Sequence, residues 1–402
     1  MGILEQVNNK CAWEEFYETK MKNDSFTFSE AEKIRAFIDE EKYKEYYKLI
    51  TVGGFPKDYP NKRIVNKEGT KKKRIVYSYE EDDNIVFKFI AYNLYEFDGE
   101  FSKNCYAFRR GYGVKDAVRR FRGNKKYASM YCFKADISNY FNSIDVDTLL
   151  EKLQFIQEKD KGLYNLFEKI LREDRVYEKG QLVKDIHGAM AGTPCSPFFA
   201  NVYLSEVDKY YEDMQVPYFR YSDDVLIFAE SEEELRKWVN IFLQKIDEHK
   251  LTINEDKVSY SKPGEGFEFL GLSYDEGEID LSANTKRKLK AKIKRKAEAL
   301  RRWQRNKELS SDKAAKGFIG AMNRKFFGKD EDDFTWCRWF FPNITTDKSI
   351  KEIDEYMQKY VRYTVTGRHY KGNYKTTYEQ MKQWGYVSLV NEYYKYRRQK
   401  VE

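Results

Sequence analysis

Residues 218–228 read Tyr-Phe-Arg-Tyr-Ser-Asp-Asp-Val-Leu-Ile-Phe. Two short hydrophobic runs around Ser222-Asp223-Asp224 predict a β-hairpin with two acids at its tip. Adjacent carboxylates repel, so the pair needs a reason. One is a solvated turn, for which aspartate is well suited. The other is a site where a cation neutralises both. The hairpin alone leaves both readings open.

A second segment bears on the choice. Tyr131-Cys132-Phe133-Lys134-Ala135-Asp136-Ile137 is another strand-like run with an acid at its end, followed by Tyr140 and Phe141. Three carboxylates from two strand ends form an all-oxygen donor set, which suits Mg²⁺. The rest of the composition agrees. There are three histidines, and the five cysteines at 11, 105, 132, 195 and 337 include no CxxC pair. A zinc site or a disulfide framework is therefore not expected. Residues 1–10 show no charged-then-apolar leader and no run of about 18 apolar residues occurs, so the expectation is a protein of the reducing cytoplasm with no membrane span.

With 402 residues the chain is long enough for about two or three domains. Ser29-Glu30-Ala31-Glu32 reads as a capping box opening a helix over 30–50. Gly53, Gly54, Pro56 and Pro60 break the chain, and 71–77 is a basic strand. Residues 84–98 return to helical periodicity. Ser196-Pro197 starts a helix with Pro at its first position. Ser231 with Glu234 starts another, running through Leu235, Trp238, Phe242 and Ile246. A strand pair follows over 267–274. The order strand, helix, hairpin, helix, strand predicts an α+β layer with an antiparallel sheet. From Asn284 onward the chain reads as helical. Lysine and arginine fill 12 of the 22 positions from Lys286 to Lys307, against one glutamate, while Leu289, Ile293, Leu300 and Trp303 form an apolar stripe.

The motifs now on the page resemble, in order, those of reverse transcriptases. The segment 219–228 resembles their Tyr-x-Asp-Asp signature, and 135–141 (Ala-Asp-Ile-Ser-Asn-Tyr-Phe) their first palm motif. Gly192-Thr193-Pro194-Cys195-Ser196-Pro197-Phe198-Phe199-Ala200-Asn201 resembles the motif between those two. Residues 251–257 (Leu-Thr-Ile-Asn-Glu-Asp-Lys) and 267–271 (Phe-Glu-Phe-Leu-Gly) resemble the next two, and 106–111 (Tyr-Ala-Phe-Arg-Arg-Gly) a fingers motif.

The resemblance implies a right-hand polymerase fold, with an N-terminal helical extension over 1–50, fingers over 51–130, a palm over 131–280 and a helical thumb and C-terminal region over 281–402. It implies an RNA-directed DNA polymerase adding dNTPs to a 3′-hydroxyl. Asp136, Asp223 and Asp224, with the Ile137 carbonyl, would hold two Mg²⁺ ions spaced about 4 Å apart, with Mn²⁺ as an alternative ion. Phe141 takes the place of the steric gate against ribonucleotides, beside Tyr140. Lys257 takes that of the lysine meeting the triphosphate, for which Lys73, Arg74, Arg109 and Arg110 are further candidates. Ala191 and Gly192 belong to the nucleotide pocket. Phe269, Leu270 and Gly271 take the place of the primer grip. Lys286, Arg287, Lys290, Lys294 and Arg301 would follow the nucleic-acid backbone.

Three departures stand out. Ala191 replaces a customary glutamine, Asn142 replaces a customary acid after the gate, and Ser222 occupies the variable place of the catalytic turn. The acids of Asp330-Glu331-Asp332-Asp333 are consecutive and read as a loop, not a ribonuclease H site. Val365-Thr366-Gly367 matches a retron tripeptide but lies about 95 residues beyond Gly271. The chain resembles the stand-alone bacterial reverse transcriptases of phage defence, which implies a structured non-coding RNA template and a DNA product. The rivals are a retron-type, protein-primed or untemplated polymerase, and a non-catalytic, maturase-like RNA-binding protein. The aromatics Trp336, Trp339, Phe340, Phe341, Tyr393, Tyr394 and Tyr396 read as core packing, with structured RNA, a second copy or a partner protein as the other possibility.

Overall fold

The computed structural model describes residues 2–22, 26–66, 73–122, 124–328, 335–369 and 375–399. The acidic string 330–333 and Lys71 and Lys72 lie outside the described residues. Helices and strands alternate in the α+β manner expected, and among the described residues every strand pair but one is antiparallel. The chain separates into two compact units, one up to Glu265 and one from Gly266 onward.

The first unit begins with helices packed by aromatic side chains. Trp13 stacks on Phe89 at 4.0 Å and contacts Phe37 and Phe16. The helix expected over 30–50 is two helices, Phe28–Asp39 and Lys42–Thr51. Thr27, not Ser29, is the N-cap, because Glu30 stands three residues after it and completes the capping box. The break falls at Glu41, which takes a left-handed conformation with φ of 52°. Strands β1 (Asn61–Asn66) and β2 (Lys73–Ser78) pair in antiparallel fashion, with Arg63 opposite Val76 and Val65 opposite Arg74.

Strand β3 (Tyr131–Asp136) lies in a different sheet. β4 (Arg175–Glu178) and β5 (Gln181–Lys184) extend the β1–β2 sheet in the order β2-β1-β4-β5. β6 (Tyr218–Tyr221), β7 (Asp224–Ala229) and β8 (Ser259–Ser261) join β3 in the order β6-β7-β3-β8. Because β3 and β7 are central, both are largely buried and apolar, with Lys134 the charged residue inside β3. Helix Glu232–Glu248 packs on these two strands through Leu235, Val239, Phe242 and Ile246, with Ser231 capping it through the Glu234 N–H.

The second unit holds β9 (Phe267–Phe269), β10 (Leu272–Asp275) and β11 (Glu278–Leu281) in one antiparallel sheet. The basic segment forms helix Ala283–Asn306, packed on helices Ser311–Phe327 and Lys348–Thr366. Among the tail aromatics, Phe340, Phe341 and Tyr393 are buried as core packing requires, whereas Tyr394 is exposed. Asp354, itself buried, accepts hydrogen bonds from the Tyr386 hydroxyl (2.6 Å), the Ser388 hydroxyl (3.0 Å) and the Leu389 N–H (2.8 Å). This anion fastens the start of the last helix, Leu389–Gln399. Asp354→Ala is expected to destabilise the second unit by about 3 kcal/mol, read by thermal or urea unfolding, because three buried donors lose one acceptor.

Val365-Thr366-Gly367 has a local explanation. Gly367 is the left-handed C-cap of helix Lys348–Thr366, with φ of 71°. Arg301 donates to the Thr364 (3.2 Å) and Val365 (3.0 Å) carbonyls of the same last turn. The tripeptide is placed by helix termination.

Candidate active site

The site grows out of the register between β3 and β7. Asp136 ends β3 and Asp224 begins β7, and the two are direct cross-strand partners. Asp223 precedes Asp224 in the turn, and its carbonyl accepts the Ile137 N–H at 2.9 Å. Three carboxylates thus come from adjacent strand ends. Burial raises the pKa of Asp223, and the charge of Asp136 raises it further. Burial also raises Asp224, opposed by Lys134 and reinforced by Asp223 and Asp136. Like charges are being held together in a poorly solvated corner.

Two lysines offset part of that repulsion. Lys257, in the short 3₁₀ turn Glu255–Lys257, places its Nζ 2.5 Å from Asp136 Oδ1. Lys134 Nζ lies 3.9 Å from Asp224 Oδ1. Lys257 gets there because 252–254 runs beside the end of β3. The Ser138 N–H donates to the Thr252 carbonyl (2.8 Å) and the Asn254 N–H to the Asp136 carbonyl (2.7 Å). Among the described residues, no three His, Cys, Asp or Glu side chains converge as a finished metal cage. The donor chemistry nevertheless fits a hard divalent cation: carboxylate oxygens, mutually repelling, on strands that fix their spacing.

The turn carrying Asp223 rests on a buried ion pair that sequence reasoning missed. Arg220 is 0% exposed and donates to Asp208 through Nε (2.8 Å) and Nη2 (2.5 Å). Its Nη1 donates to the Ser222 carbonyl at 3.1 Å, and the Tyr218 hydroxyl reaches the same Asp208 at 3.0 Å. Ser222 has φ of 59°, so the guanidinium braces a left-handed residue at the apex of the turn. An arginine inside an otherwise apolar strand was the signal available.

The remaining predicted residues separate. Phe141 is half-buried, with its ring 6.2 Å from Phe108, which in turn lies 6.4 Å from Tyr221. Tyr140 is buried and donates its hydroxyl to the Ala200 carbonyl, so its side chain belongs to the core. Arg74 is exposed on β2, and its charge acts on Asp223. Lys73 neighbours it in the strand and so takes the opposite face. Arg63, opposite Val76, shares the Arg74 face and was not singled out from sequence. Arg109 is 9% exposed and donates to the carbonyls of Ser102, Cys105 and Asp98, with its guanidinium over Tyr112. That guanidinium is committed to holding its own loop, as Arg301 is to a helix end.

Ala191 and Gly192 lie against β2. The Tyr77 N–H donates to the Ala191 carbonyl at 2.8 Å, and a Cβ at Gly192 (φ of 105°) would stand 2.9 Å from the Tyr77 carbonyl oxygen. In the second unit, Phe269 is core, while Leu270 and Gly271 (φ of 53° and 81°) make the β9–β10 turn. The Gly271 carbonyl accepts from the Thr285 hydroxyl (2.8 Å) and the Ser282 N–H (3.0 Å), tying that turn to the first turn of the basic helix. On that helix Lys286 and Lys290 pair with Glu352, Lys294 approaches Glu298 at 3.9 Å, and Arg287 donates to Asn284.

An antiparallel sheet presenting aspartates from two neighbouring strands, flanked by basic side chains, has the build of the palm in a right-hand polymerase fold. Residues 65–274, just over half of the chain, match the family described as reverse transcriptase (RNA-dependent DNA polymerase), and the chain belongs to that family. It is 27% identical over 157 residues to the retron Ec83 reverse transcriptase of Escherichia coli, covering 36% of this chain and 48% of that protein. It is 30% identical over 118 residues to a COX1/OXI3 intron 1 protein of Saccharomyces cerevisiae, covering 29% of this chain and 14% of that one. The chain thus spans less than half the length of these curated relatives. Apo telomerase of Candida tropicalis aligns over 87% of this chain and 74% of its own, at 12% identity and a TM-score of 0.46. No helix among the described residues is long and apolar enough to cross a membrane.

Proposed function

We propose that this chain is an RNA-directed DNA polymerase whose three aspartates hold divalent metal ions, Mg²⁺ in the first instance. The observation that carries the reading is the placement of Asp136 directly across from Asp224, with Asp223 beside them. A bound pair of such ions would activate the primer 3′-hydroxyl and stabilise the charge of the leaving pyrophosphate. The protein's own part is positioning, which dominates phosphoryl transfer. The β3–β7 register fixes the carboxylates, and the Arg220–Asp208 pair fixes the turn. Lys257 sits where a lysine can exchange its contact with Asp136 for the incoming triphosphate. Arg74 offers that triphosphate a bidentate partner, and Phe141 walls the sugar.

The same reading takes a structured non-coding RNA as template, dNTPs as substrates and anti-phage defence in the cytoplasm as the setting. Its support is the ordered motif set together with the departures at Ala191 and Asn142. The test is to incubate the purified protein with a primed RNA template, dNTPs and Mg²⁺, and to sequence the products alongside the nucleic acid that copurifies. Template-complementary DNA that disappears on chelation supports the proposal. Its absence with every divalent ion removes the proposal, and protein-linked or template-independent DNA redirects it.

The sugar wall gives a separate prediction. Phe141→Ala is expected to raise ribonucleotide incorporation relative to deoxynucleotide by about 10²-fold, because a steric exclusion worth a few kcal/mol is removed. Competing dCTP and CTP in single-nucleotide extension measures it.

A further inference from the structure

We propose that Asn142 is a positioning residue that fastens the free edge of β2 to the loop at Ala191, and through it sets where Arg74 meets the incoming nucleotide. The inference rests on the polymerase reading above. β2 is the outer strand of its sheet, so one row of its backbone groups lacks a strand partner. Two of those groups, the Tyr77 N–H and the Ile75 carbonyl, are satisfied by a cycle of hydrogen bonds. The Tyr77 N–H donates to the Ala191 carbonyl at 2.8 Å. The Ala191 N–H donates to Asn142 Oδ1 at 2.9 Å, and Asn142 Nδ2 donates to the Ile75 carbonyl at 3.3 Å. One residue earlier, the Phe141 carbonyl accepts the Ala189 N–H at 2.8 Å, so 141–142 clamps the loop at two points. Gly192 permits the closeness, since any Cβ there would collide with the Tyr77 carbonyl.

The cycle needs a side chain that accepts and donates at once. An amide does both, and its orientation is fixed because an N–H faces one end and a carbonyl oxygen the other. An ionised carboxylate could take the Ala191 N–H but would turn a second negative oxygen toward the Ile75 carbonyl. The departure from the customary acid is thereby explained by what the position touches. Ile75 follows Arg74 in the strand; Val76, two residues after Arg74 and so on its face, has its Cβ 3.3 Å from where a Cβ at Gly192 would stand, and the Arg74 charge acts on Asp223. Loosening the cycle therefore moves the phosphate-facing arginine and the backbone next to the Phe141 wall together, while the aspartates on β3 and β7 stay in register.

The signature is an order of severity. Asn142→Asp is expected to raise the KM for dNTP about tenfold with kcat changed less than about threefold, and Asn142→Ala to raise KM only about threefold, since it removes the bridge without adding repulsion. Loss of packing alone would make alanine the worse variant. Hydrogen exchange of the full chain supplies a readout free of catalysis. Peptides covering 73–79 and 188–195 should exchange faster in both variants, with the aspartate variant fastest and the melting temperature nearly unchanged. Unchanged KM in Asn142→Asp, alanine worse than aspartate, or unchanged exchange in these peptides overturns the inference. A wild-type protein that incorporates no dNTP would instead overturn the polymerase reading, and the exchange experiment would still decide the bridge.

Discussion

Asp223→Asn/Asp224→Asn is expected to lower dNTP incorporation by at least about 10³-fold, the loss corresponding to several kcal/mol of metal-borne charge stabilisation. The same double variant is expected to melt about 2–4 °C higher than the wild type in the absence of metal ions. The second expectation follows from the direction of the pKa shifts. Both carboxyls titrate above their ordinary value because burial and neighbouring acids penalise the charged form. For such a group the folded state binds the proton more tightly than the unfolded state. Its stabilising contribution is complete below the unfolded pKa and is lost as pH rises through the raised folded pKa. Wherever the pair is ionised it is therefore a burden on the fold, and neutral amides lift it. Activity and stability should move in opposite directions, which a merely structural turn would not show. Single-nucleotide extension and scanning calorimetry on the same preparation measure both.

The second large effect is expected at Arg220. Replacing it with methionine leaves Asp208, only 1% exposed, as a buried charge without its partner. Breaking a buried pair on one side costs about 3–5 kcal/mol, or about 10 °C in a unit of this size. The loss should exceed that of the paired change Arg220→Met/Asp208→Leu, which removes both charges. A melting temperature within about 2 °C of wild type for the single variant would show that the pair does not brace the turn. The double-mutant cycle also separates stability from catalysis. In the paired variant the Ser222 carbonyl still loses its donor, so incorporation should stay depressed after stability recovers.

These expectations divide along the line between what the sequence states and what only folding assembles. The closeness of Asp136, Asp223 and Asp224 was legible because Asp136 and Asp224 end hydrophobic strands, Asp223 stands in the turn between two of them, and strand ends in one sheet lie together. The α+β character followed from the alternation of helical and strand periods. The basic helix was legible from composition over one segment. The Arg220–Asp208 pair was not, because it is a contact between a strand and a preceding helix: Arg220 stands out in its apolar strand, but nothing in the string of letters names Asp208 as its partner. Arg109 and Arg74 look equivalent in a string of letters. The fold separates them by turning one guanidinium onto three carbonyls and leaving the other exposed on β2, where its charge acts on Asp223. Thr27 was passed over as a cap because Ser29 offered a similar pattern two residues later. Asn142 was noticed only as a departure; its use of both ends of the amide became visible through the edge of β2.

The most direct measurement is single-nucleotide incorporation on a set of RNA templates that differ in one base opposite the primer end, with Mg²⁺ and one labelled dNTP at a time. RNA-directed synthesis at this site requires that the incorporated nucleotide change with the template base, and that incorporation vanish in Asp136→Asn. The same nucleotide added whatever the template, or incorporation that survives Asp136→Asn, would contradict it.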